Sequence, residues 1–105
     1  MILSTTDRIP GHDIEEIAGV ARGNVVRAKH IGADIVAKLR SLVGGEVKEY
    51  TKLMAEAREQ ALDRMEAHAR QLNADAIVNI RFATSMIMTG GAEILVYGTA
   101  VRLQR

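Results

Sequence analysis

From Gly44 to Asn73 the chain reads GGEVKEYTKLMAEAREQALDRMEAHARQLN, a glycine pair followed by a run that contains neither Gly nor Pro. The run is rich in Ala, Glu, Lys, Arg, Leu and Met, the strongest helix formers, and predicts one uninterrupted helix from Glu46 onward. Val47, Tyr50, Met54, Ala57, Ala61, Met65, His68 and Leu72 recur at steps of three and four, which gathers them on one stripe, the face to be buried. Lys52 with Glu56 and Glu66 with Arg70 stand at the i,i+4 spacing of solvated ion pairs. Such a helix is about 40 Å long, whereas a compact domain of this size has a radius of gyration of about 13 Å. The rod must therefore span the whole subunit. Gly44 and Gly45 close a shorter apolar-periodic run (Ile35, Val36, Leu39, Leu42, Val43), which predicts a short helix over Asp34–Val43.

A chain of 105 residues makes one domain, expected over residues 1–105. Its 14 basic and 13 acidic residues nearly cancel and are scattered along the chain, so neither nucleic acid nor an anionic membrane is an expected partner. There is no Cys, which excludes disulfides, thiolate zinc sites and cysteine nucleophiles and agrees with a cytoplasmic location. The opening MILSTTDRIPG carries too short an apolar run for a signal sequence, and no run reaches membrane-spanning length. Hydrophobic residues make up 48% of the chain but aromatics only 3%. The core must therefore be built from small aliphatic side chains.

Met1–Ser4 reads as a short strand followed by a turn at Pro10, Gly11 and Asp13. Ile14–Ala28 has the texture of a long strand, with Ile17, Gly19, Ala21, Gly23 and Val25 on one side. Glycines alternating along one face mean that something packs very close there, or that the strand bends. After Asn73 the period changes from helical to alternating. Asp75–Met88 and Ala92–Arg105 flank Gly90-Gly91, a pair suited to a two-residue hairpin turn. A turn at that pair sets Ile80 opposite Val101, Phe82 opposite Thr99, Thr84 opposite Tyr97 and Met86 opposite Leu95. The resulting apolar face is expected under the long helix. The other face, with Ile77, Asn79, Arg81, Ala83, Ser85, Ile87, Ile94, Val96, Gly98, Ala100 and Arg102, is too apolar for water and too polar for an ordinary core. It is the expected subunit interface, with Asn79, Arg81, Glu93 and Arg102 as candidates for pairing across it or lining a channel.

The PG near the N-terminus, LVGGEVKEYTKLMAEAREQALDRM, NADAIVNIRFATS and the closing EILVYGTAV together resemble the YbjQ family, over nearly the whole chain. That family carries a heavy-metal-binding description and no assigned activity. The resemblance implies a small α+β subunit of dodecin-like architecture, an antiparallel sheet with one short and one long helix on one face, that assembles as a ring-shaped homopentamer. It supplies no catalytic or ligand residues that transfer to positions here.

Borderline and soft metals need thiolate, imidazole or thioether groups at spacings that bring them together. His12, His30 and His68 fall in a turn, at a strand end and on the long helix, with no second His or Glu at ligand spacing. The candidates that remain are Met65 with His68, three residues apart on the helix, and Met86 with Met88, alternating along a strand. Ordinary core filling accounts for the same methionines. For catalysis, Ser4, Ser41 and Ser85 lack a nucleophile-elbow context, Gly11-His12-Asp13 reads as a turn, and Gly44-Gly45 lacks the Lys and Ser or Thr of a phosphate loop. The flavin chemistry of dodecins needs aromatic stacking surfaces. With no Trp, and with Tyr50, Phe82 and Tyr97 assigned to the core, no flavin is expected. Arg58 and Arg64, on the flank of the buried stripe, and Arg81 with Glu93 are the charges to inspect for burial. The expected function is a non-enzymatic cytoplasmic homo-oligomer that binds a metal ion or small ligand at subunit junctions. A structural or protein-interaction module without ligand is the first alternative and an enzyme the second.

Overall fold

A computed structural model describes residues 1–27, 48–88 and 91–105. The short helix expected over residues 34–43, His30 and Gly44-Gly45 lie outside the described residues, as do the side chains of Tyr50 and Met88. The fold is α+β. Strands β1 (Ile2–Leu3) and β2 (Ile14–Arg27) precede helix α1 (Lys48–Gln71), and β3 (Ala76–Met88) and β4 (Gly91–Leu103) follow it. The four strands form one sheet in the order β1-β3-β4-β2. It is mixed rather than wholly antiparallel, because β1 runs parallel to β3 while β3–β4 and β4–β2 are antiparallel.

The 24 residues of α1 make a rod of about 36 Å. Ala57, Ala61, Met65 and Ala69 are fully buried beneath it, with Met54, Leu62 and Leu72 at the margins. The glycine side of β2 meets this alanine stripe. A Cβ on Gly19 would touch Leu72, and one on Gly23 would lie far inside contact distance of the Ala61 carbonyl and the Met65 amide. Small residues on both elements let the helix backbone come down onto the strand, and Ala21 and Val25 fill the space between. The helix stops at Asn73, whose φ of 59° is left-handed. The amide of Ala74 bonds the carbonyl of Ala69 and the amide of Asn73 that of Arg70, which is the Schellman arrangement with Asn in the usual glycine position.

The expected hairpin register needs correction. Phe82 pairs with Val96 instead of Thr99, and Met86 with Ala92 instead of Leu95. Met88 pairs with Gly91, so Gly91 is already strand, and residues 89–90 are outside the description. An offset of three is odd, and an odd offset exchanges the faces of the partner strand. Accordingly Ile94, Val96 and Ala100, expected to face a neighbour, lie in the core under α1, together with Ile77 and Ile80. The step from Ile77 to Ile80 is explained by a bulge. Val78 pairs with Thr99 and Arg81 with Tyr97, leaving Asn79 and Ile80 opposite Gly98 alone. Asn79 takes φ 55°, and a Cβ at residue 98 would crowd Ile77, Val78 and Ile80. Phe82 and Tyr97, assigned to the core from sequence, are both exposed.

On the other face of the sheet a second, smaller core of Ala76, Val78, Val101 and Leu103 is closed by Ile9 from the N-terminal loop. That loop also bonds the outer edge of β3, through Ser4 to Ile77 and Ile80 and through Thr6 to Asn79.

Candidate functional site

Arg102 sits where β4, β2 and the end of α1 converge. Its guanidinium binds both carboxylate oxygens of Glu16 on β2, through Nε at 3.1 Å and NH2 at 2.8 Å. Its NH1 donates to the carbonyl of Leu72 at 2.9 Å. A cation placed on the last carbonyls of a helix meets the negative end of the helix dipole. Nearby, Asp75 accepts the amide of Leu103 at 2.9 Å and pairs with Arg105 at 2.8 Å. The hydrogen bond from Arg102, reinforced by its charge, holds the Glu16 carboxyl below its ordinary value of 4.5. The backbone bond from Leu103 and the bond from Arg105 do the same for Asp75, ordinarily 3.8. A group depressed in the folded state contributes stability above its unfolded value and loses that contribution as pH falls through the folded one. Thermal stability should therefore decline as pH is lowered from about 5 toward 3. In circular-dichroism melts the double variant Glu16→Gln, Asp75→Asn should decline less steeply than the native chain.

A second group of contacts lies along the free edge of β2. The Nδ1 of His68 accepts the amide of Arg22 at 3.2 Å, and NH1 of Arg64 donates to the carbonyl of Asn24 at 2.6 Å. Both side chains come from α1, one turn apart, and reach past the helix–strand seam to occupy backbone groups that point away from β4. They form a latch over the middle of the strand. Asn24 is fixed on its side-chain end as well, by donation to Glu93 at 3.2 Å.

The described sequence candidates fall in different surroundings. Met65 is fully buried in the core, whereas His68 is half-buried and committed through Nδ1 to β2. Met86 is 83% exposed, and the pairing of β3 is irregular between Met86 and Met88. Asn79 is the bulge residue. Arg81 donates to the carbonyls of Thr5 and Ile80. Arg58 and Arg64 are both exposed. Around Gly11-His12-Asp13 there is a surface groove of about 540 Å³ lined by Asp7, Arg8, Ile9, Pro10, His12, Asp13 and Ile14. In the turn beside it the His12 amide bonds the Ile9 carbonyl. Among the described residues no three His, Asp or Glu side chains converge as a metal site, and no helix is long and apolar enough to cross a membrane. The Arg102 hub and the Arg64–His68 latch escaped sequence reading because each joins residues 28 to 86 positions apart. The only local trace of the latch is the i,i+4 spacing of Arg64 and His68.

Fold and site together define, among the described residues, a two-layer α+β arrangement with one helix on a four-stranded mixed sheet and apolar groups left at the sheet margins. Residues 1–104 match the family model YbjQ, described as "Putative heavy-metal-binding", and the chain belongs to that family. It is 58% identical over 103 residues to a UPF0145 protein of Thermosipho melanesiensis, covering 98% of this chain and 95% of the relative. It is 60% identical over 105 residues to one of Pyrococcus horikoshii, covering 100% and 90%. Its fold is similar to the crystal structure of a protein of unknown function of the DUF74 family from Pediococcus pentosaceus, with TM-score 0.64, 17% identity and coverage of 99% and 98% of the two chains.

Proposed function

We propose that this chain is a non-enzymatic subunit of a cytoplasmic homo-oligomeric ring, a pentamer by family resemblance, that holds a metal ion or small ligand where subunits meet. The observation that carries the reading is the shape of the single copy. Its radius of gyration is 17.0 Å, with extents of 55 × 24 × 15 Å, against about 13 Å for a self-contained domain of this length. A thin slab leaves large apolar side chains uncovered, among them Ile17 at 68%, Val20 at 61% and Met86 at 83% exposure. Ile17 and Val20 lie on β2 and Met86 on β3, so apolar surface is left along both sheet edges, where contact with another copy would cover it.

The family description points to a metal. Within one copy the described donors do not fit one, because His12, His68, Met65 and Met86 are dispersed and no three-donor group forms. A metal held by these described donors would need residues from more than one copy. The same dispersal favours the second reading, a structural or interaction module without ligand.

Two measurements divide the readings. Sedimentation at micromolar concentration should give a defined oligomer, and a stable monomer overturns the proposal. Native mass spectrometry with added Zn(II), Cu(I) or Ni(II) should give an integral adduct per ring that is lost on dissociation. A ring that takes up none of them leaves the structural module.

A further inference from the structure

The two long edges of the sheet are not equivalent, and the difference locates a junction. Along β3 the N-terminal segment occupies the outer edge only as far as Ile80, whose amide bonds the carbonyl of Ser4. Strand alternation then turns the amides of Phe82, Thr84 and Met86 the same way, and among the described residues nothing bonds them. From Phe82 to Met88 the sequence FATSMIM contains no charge, no Pro and no Gly. Soluble proteins protect exposed edges with those very residues, and an edge without them recruits another strand. Along β2 the middle of the edge is taken by His68 and Arg64, which leaves the twice-bulged stretch Ile14–Val20, with register shifts at Ile14/Glu16 and Ile17/Gly19, without a partner on that edge among the described residues. Met86, Ile17 and Val20, the three most exposed of the large apolar side chains described, all lie on these two open stretches.

We propose that β3 from Arg81 to Met88 takes, as an added parallel strand, the stretch Ile14–Val20 of a second copy of this chain. The inference rests on the oligomeric reading above and names the surface through which it is built. Parallel pairing follows from the topology. β2 and β3 are each antiparallel to β4 and hence parallel to each other, and rotation about an axis running along the strands preserves that direction in the next copy. Because the two edges differ, the contact is heterologous, and its repetition builds a ring where the rotation between copies closes. Charge agrees as well. Arg81 and Glu15 stand at the N-terminal ends of the two stretches, and parallel pairing brings them together. Within one copy the Arg81 guanidinium bonds only carbonyl oxygens, and neither residue belongs to an ion pair among the described residues. The latch decides where the junction ends, since it covers the edge at Arg22 and Asn24.

Thr84→Pro tests the junction, because it removes one outward amide at an edge, where proline is tolerated, without touching the β3–β4 ladder. The variant should keep its far-UV circular dichroism and sediment as a monomer where the native chain is assembled. Arg81→Glu should weaken assembly by about tenfold or more, and adding Glu15→Arg should restore it. Thr84→Pro that assembles like the native chain overturns the proposal, as does a charge swap that rescues nothing. If Thr84→Pro fails to fold, amide hydrogen exchange on the assembled native protein decides. Protection at Phe82, Thr84 and Met86 supports the junction, and free exchange there overturns it. A native chain that is monomeric removes the oligomeric reading and this one with it, whereas an assembled Thr84→Pro removes this one alone.

Discussion

Gly23→Ala should unfold the chain or destabilise it by about 3 kcal/mol or more, a larger loss than an extra methylene in a core usually brings. The reason is what the new methyl would strike. Most overpacked sites relieve themselves by swinging a side chain aside, but at Gly23 the obstacles are the carbonyl of Ala61 and the amide of Met65, both backbone atoms within one turn of α1. Relief means lifting the helix from β2 and opening the seam that Ala57, Ala61, Met65 and Ala69 make with Ala21 and Val25. It would also pull Arg64 from the carbonyl of Asn24. For a domain of this size 3 kcal/mol corresponds to a fall in Tm of roughly 12–24 °C, readable in a thermal melt. Gly19→Ala is the comparison. Its methyl would meet only the end of the flexible Leu72 side chain at 3.4 Å, though at a φ of 145° that itself disfavours a side chain. It should fall well short of the Gly23 loss, and equal losses at the two positions would refute the close-contact account.

The same pair of glycines shows what was legible beforehand. Their alternation along one side of a β-branched strand announced a close approach, and the long helical run with alanines on its stripe supplied the element that makes it. Both signals are local and periodic. The bulge at Asn79 was not legible, because a single residue with left-handed φ inside an otherwise alternating strand leaves the composition unchanged. Asn tolerates that conformation better than most residues, but it is equally at home in a regular polar position. A turn counted from the wrong glycine, together with the irregularity between Met86 and Met88, shifted the pairing of residues 82–86 by three, and the bulge at Asn79 adds one more beyond it. That was enough to send Ile94, Val96 and Ala100 to the predicted interface instead of to the core they occupy. In the observed register large apolar side chains are still exposed on the hairpin, among them Phe82 and Met86 on β3. Which positions remain uncovered depends on that register, and the Arg102 hub and the latch over β2 needed the fold itself.

Met65 is the place where packing and the metal description make opposite demands. It is one of the largest fully buried side chains, lying among Ala21, Val25, Ile77 and Val96 in the main core. Truncation by Met65→Ala leaves a void that the alanines around it cannot fill and should cost about 2–5 kcal/mol. Met65→Leu conserves the volume and should cost less than about 1.5 kcal/mol. A thioether that ligated a metal alongside His68 would respond in the reverse manner, since leucine fills the space but offers no lone pair. Equilibrium denaturation of the two variants, run beside native mass spectrometry with Cu(I), separates the roles. Packing predicts a stable Met65→Leu chain whose metal uptake equals that of the native protein. Loss of uptake in Met65→Leu with its stability intact would make Met65 a ligand, and would require the helix to turn it out of the core on binding.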